Sequence, residues 1–211
     1  MAETNQLSFN NTEENALNIA INKISKHSKD AVTLLGFLCE LYNKNISQEY
    51  VDSFAKAHNI SNAEELIQIL ESYGTITVSY KDISSHHYVI HIHDLIRSYI
   101  LLRKTFADRE KDLLTISQAI YNFFKEIPFG KRLSFIINNV AHIYHIEEIL
   151  QTFENLKLKD SLNFIHLRIL MLEFLTFIER NYQKSKEISK KLKKTIKTFT
   201  INKQSLITFY I

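Results

Sequence analysis

The 211-residue chain has little of what breaks a backbone: three glycines and one proline. Sheet-rich folds need many tight turns, and turns draw heavily on Gly and Pro, so this scarcity predicts a mostly helical protein. The single cysteine, Cys39, excludes an internal disulfide. The first residues, Met-Ala-Glu-Thr-Asn, lack the charged and apolar regions of an export signal, so a cytoplasmic protein is expected. No apolar run reaches the roughly 18–20 residues needed to cross a bilayer. Gly36, Gly74 and Gly130 are too dispersed to form a phosphate-cradling loop. No nucleophile, base and orienting group fall into a catalytic pattern, so an enzyme is not expected. What is present suffices for a core: 45% of residues are hydrophobic and 23% charged.

Charge is unevenly spread. Residues 181–211 hold eight Lys and one Glu, whereas the whole chain is only +3. A solvated helix face is the plain reading of the Lys184–Lys197 segment, and the absence of arginine there argues against base-edge readout.

Residues 1–11 are polar and read as a loose N-terminus. Thr12 is placed to cap a first helix, with Ala16, Leu17, Ala20, Ile21 and Ile24 at helical spacing. Ser28 caps a second, Ala31–Tyr42, which is apolar almost all round and therefore buried. Ser47 begins a third. Ser61-Asn-Ala-Glu64 forms a capping box for a fourth, which Gly74 stops. Thr75–Tyr80 and Tyr88–Ile92 read as a β-hairpin around a polar loop, Lys81–His87. Helices are expected over 94–106, 109–127, 130–153, 161–180 and 182–199, with a partial one near 204–211. Pro128 and Gly130 mark a break.

Residues 15–105 resemble the winged-helix segment of NB-ARC-type regulatory ATPases, the STAND class. The resemblance rests on the helix Ala31–Leu41, the Asn45-Ile46-Ser47 approach to the next helix, Glu65-Leu66-Ile67-Gln68-Ile69-Leu70 before a hairpin, and Ile92-His93-Asp94-Leu95-Ile96 after it. The last is similar to the Met-His-Asp-Leu motif that closes that domain. The resemblance implies that His93 contacts the terminal phosphate of ADP, with Asp94 orienting or capping. An imidazole N–H at a helix N-terminus suits that chemistry. The phosphate-binding loop that precedes this segment in the family is absent, so the chain reads as a fragment. ADP or ATP is expected only where a nucleotide-binding module is supplied elsewhere, and no cofactor for this chain alone. Leu172–Ser189 resembles one tetratricopeptide-type repeat, with a turn at Asn181-Tyr182; Leu172, Tyr182 and Ser185 suit their positions, and Glu173 and Leu192 do not.

The expected organisation is thus a mostly α protein: a winged-helix domain over 12–106, then a TPR-like helical repeat region over 107–211, truncated at its C-terminus. The expected function is a non-catalytic regulatory and protein-interaction module of a STAND-type signalling switch. Its partner is a protein, a nucleotide-binding domain in cis or trans among the candidates, and not a membrane. The alternative is a winged-helix DNA-binding transcriptional regulator. The reading helix of such a regulator, Asn62–Tyr73, has Glu64, Glu65 and Glu71 but no Lys or Arg, which disfavours DNA. His87, His91 and His93 share strand parity beside His86, but no cysteine joins them, so no metal site is expected. Cys39 reads as a structural thiol.

Overall fold

A computed structural model describes residues 11–80, 88–125, 127–128, 131–132, 134, 137, 140–158 and 161–198. Among these residues there are nine helices and one small antiparallel sheet, so the chain is mostly α. No described helix is long and apolar enough to cross a membrane. The expected loop Lys81–His87, Gly130 and the partial helix near 204–211 lie outside the described residues.

The chain divides into two compact units, residues 1–119 and 120–211. The sequence places the boundary at 106/107. The difference arises in one helix, whose first turns carry Arg109 and Asp112 into ion pairs of the first unit.

In the first unit, α1 (Asn11–His27) leads into α2 (Lys29–Leu38). Thr12 lies inside α1 rather than capping it. Ser28 does cap α2, its hydroxyl accepting from the Ala31 N–H at 3.2 Å. From Leu34 to Leu41 every residue of this segment is buried, Glu40 included. A two-residue strand, β1 (Ile46–Ser47), precedes α3 (Gln48–His58). No sequence pattern announces β1, because two residues cannot show an alternation. Helix α4 (Ala63–Ser72) is capped one residue later than expected: Asn62, not Ser61, accepts from the Glu65 N–H. Its C-terminus closes as a Schellman motif. Gly74 has φ +66°, its N–H donates to the Glu71 carbonyl, and the Thr75 N–H reaches Leu70 O at 3.1 Å.

Strands β2 (Ile76–Tyr80) and β3 (Tyr88–Ile92) pair antiparallel from Ile76↔Ile92 to Tyr80↔Tyr88. Strand β1 pairs with the other edge of β3, giving the order β1-β3-β2. The central strand β3 buries Tyr88, Val89, Ile90 and Ile92, while the outer β2 is largely exposed. The Val78 N–H on the open edge of β2 donates to Glu71 Oε1 at 3.2 Å. Helix α5 (Asp94–Arg103) follows, shorter than expected because Lys104 is extended. Helix α6 (Phe106–Lys125) starts earlier than expected.

In the second unit residues 131, 132, 134 and 137 are helical, residue 140 is in a turn, and α7 (Ala141–Asn155) follows, so the single helix expected over 130–153 is interrupted at residue 140. Helix α8 (Leu162–Phe177) is apolar around its circumference and packs on both α7 and α9 (Tyr182–Thr198). The turn between α8 and α9 covers residues 178–181, so it includes Asn181 as expected but begins earlier, and Tyr182 is already helical. Arg180 takes a left-handed φ of 54°, and Asn181 Oδ1 accepts from the Lys184 N–H, capping α9. Ser185 is buried at the crossing and bonds Thr176 Oγ1 at 3.2 Å.

Candidate functional site

His93 is the N-cap residue of α5, in extended backbone directly after β3. Its carbonyl accepts from the Arg97 N–H at 2.9 Å, while its imidazole is exposed and makes no capping bond. Among the described residues the ring therefore has no local capping duty, and it sits at the positive end of a ten-residue helix. Asp94, beside it, is engaged: Asn43 Nδ2 donates to its Oδ1. The Ile92 N–H in turn donates to the Asn43 carbonyl at 2.8 Å.

A second clamp comes from Arg97. Its Nε reaches the carbonyls of Cys39 at 2.8 Å and Leu41 at 3.1 Å, at the C-terminal end of α2. A cation there offsets the negative end of the α2 dipole and satisfies carbonyls that the helix leaves unpaired. Cys39, beneath it, is fully buried, and burial pushes its thiol up to about 12. It is a packed, unreactive sulfur.

The far end of α5 is tied to the same helix by a charge cluster that sequence reasoning missed. Lys104 Nζ donates to Gly36 O at 3.0 Å, to Glu40 Oε1 at 2.9 Å and to Asp112 Oδ2 at 2.6 Å. Arg109 grips both oxygens of Glu40, Nη2 meeting Oε2 at 2.9 Å. Two acids and two bases thus neutralise each other: Glu40 just past α2, Lys104 just past α5, and Arg109 and Asp112 in the first turns of α6. Burial holds the Asp112 carboxyl above its ordinary range, outweighing the opposing pull of Lys104. One signal was available: a glutamate inside an otherwise apolar segment must find a cation. A pocket of about 490 Å³ opens beside the cluster, lined by Gly36, Tyr99, Ile100, Lys104 and Asp112.

Of the four clustered histidines, His91 and His93 are among the described residues. His91 lies on β3 opposite Thr77, and its Nδ1 accepts from the Asn45 N–H at 3.4 Å. His86 and His87 lie outside the described residues. Among the described residues no group of three or more His, Cys, Asp or Glu is placed to hold a metal.

In the second unit a groove of about 230 Å³ runs between α7, α8 and α9 over Leu150, Met171 and Ile188. Two ion pairs cross it, Lys184 with Glu147 and Lys191 with Glu154, the latter at 2.6 Å. Buried Arg168 donates to Thr195 Oγ1 at 3.1 Å and stacks over Phe153.

No protein-family model, curated protein or solved structure matches the chain significantly.

Proposed function

We propose that the chain is a non-catalytic regulatory and protein-interaction module: a winged helix carrying a phosphate-sensing histidine, followed by a TPR-like helical hairpin. The observation that carries this reading is the His93 imidazole, exposed at the head of α5 while Asn43, Asp94 and Arg97 clamp that helix end to the segment 39–43 that follows α2. A sensing arm needs such a division of labour, one group free to meet a ligand and its neighbours committed to holding it still. The succession α2, β1, α3, α4, β2, β3 with sheet order β1-β3-β2 supports the winged-helix reading. The α8–α9 hairpin with a small residue, Ser185, buried at its crossing supports the repeat reading. DNA readout through α4 is opposed by exposed Glu64, Glu65 and Glu71 and by the lack of any cation on that helix.

A nucleotide role falls to a partner module that contributes the phosphate cradle, His93 supplying one donor. The reading is tested with the purified chain, ATP, ADP and magnesium. The expected result is no turnover and no retained ADP. Turnover that His93→Ala abolishes would overturn the module reading, as would selective duplex binding lost on changing Gln68, an exposed polar residue of α4.

A further inference from the structure

Helix α9 contains seven lysines and one glutamate. They fall into two sets. Lys184 and Lys191, seven apart, point toward α7 and pair with Glu147 and Glu154. Lys186, Lys190 and Lys193 are exposed and make no ion pair or hydrogen bond among the described residues. Their spacing, i, i+4 and i+7, places them on one stripe of the helix. Helical register continues that stripe to the position of Lys197 and begins it at Tyr182, whose ring is 67% exposed.

At 1.5 Å of rise per residue the four lysine positions are spaced by ~6, ~4.5 and ~6 Å along the axis. The line is of one sign and has an aromatic ring at its head. Its flanking positions, Gln183 and Ser189, are polar. We infer that this outer stripe of α9 binds single-stranded nucleic acid without sequence preference, the lysines following successive phosphates and Tyr182 offering its face to one base. A row of cations with an exposed ring is the combination that single-strand binders use. The absence of Arg removes the bidentate base readout that gives sequence selectivity. An anionic membrane is the weaker match, because among the described residues only Ile196, 37% exposed, stands beside Tyr182 as a large apolar side chain to insert along this helix. This surface lies on a different unit from His93, and the inference stands independently of the nucleotide reading.

The test uses the full chain, fluorescein-labelled dT20 and rU20, a 20-base-pair duplex, and phosphatidylserine–phosphatidylcholine vesicles. With about three phosphates neutralised, log K should fall with log salt at a slope near −2.1 on the single strands. That is about 20-fold weaker binding at 200 mM than at 50 mM salt. The triple variant Lys186→Gln, Lys190→Gln, Lys193→Gln should lose most of that slope. Tyr182→Ala should weaken single-strand binding about five- to 150-fold, with Tyr182→Phe restoring it. Lys56→Gln, an exposed lysine on the other unit, should change nothing. All these positions are exposed, so unchanged helicity by circular dichroism verifies folding. The inference is overturned by any of three results: no single-strand binding at 50 mM salt, binding indifferent to the triple variant, or duplex or vesicle binding at least as tight and insensitive to Tyr182.

Discussion

Replacing Glu40 by Gln should be among the most damaging single changes in the first unit. Glu40 is fully buried, and the cations that hold it are nearly so, with 12% exposure of the Lys104 side chain and 19% of Arg109. The substitution preserves shape and one acceptor but leaves two cations facing Asp112 alone. Removing one partner of a buried pair costs about 3–5 kcal/mol, because the remaining charge stays desolvated. Gln should fall near 3 and Ala near 5 on that scale. Glu14, which pairs with Arg103, is the internal control: both side chains are about 40% exposed, so Glu14→Gln should cost under about 1 kcal/mol. Urea unfolding followed by circular dichroism reads both. With a slope of about 2–3 kcal/mol/M, Glu40→Gln should lower the midpoint by about 1–1.5 M without altering the slope. Adding Arg109→Met to Glu40→Gln should recover part of the loss. If the two glutamates cost the same, or if the second change only adds damage, the cluster is not a mutually neutralising unit and the argument fails.

Two further outcomes follow from burial. Cys39, with its thiol raised to about 12 from 9.0, carries about 1,000-fold less thiolate than an ordinary cysteine; native-state alkylation by iodoacetamide should proceed only as fast as the first unit opens. In the second unit, burial first and Arg132 second hold His166 below its usual value, with Tyr121 stacked on its ring at 4.5 Å. A depressed folded-state value stabilises above the unfolded value of 6.5 and is lost as pH falls through the folded one. The second unit should therefore weaken on acidification from pH 7.5 to below 6, and His166→Phe should flatten that dependence. A profile unchanged in the variant would assign the acid sensitivity elsewhere.

The local grammar of the chain was readable where a residue has one strong backbone use. Ser28 caps α2, Gly74 ends α4, and the hairpin strands lie almost where β-branching and alternation put them. Asn62 displaced Ser61 because both are good caps and only the fold of the turn chooses between them. The early start of α6 and the division at 119/120 depend on Arg109 meeting Glu40, 69 residues earlier, and on Asp112 meeting Lys104, contacts that no local period reveals. For the candidate site, His93 and Asp94 were visible as a pair, but their different duties were not. Asp94 is committed through Asn43, 51 residues earlier, and this leaves the imidazole as the free group.

The Glu71 carboxylate seated on the Val78 N–H has a consequence for how copies of the protein meet. A three-stranded sheet has two edges open to further strands, and such edges invite polymer growth. Here one edge is only two residues long, and the other has a carboxylate over an outward amide. A foreign strand would have to evict Glu71 before it could register against β2. Chains crowded together, as during synthesis at high level, therefore find no ready backbone template on either edge of this sheet.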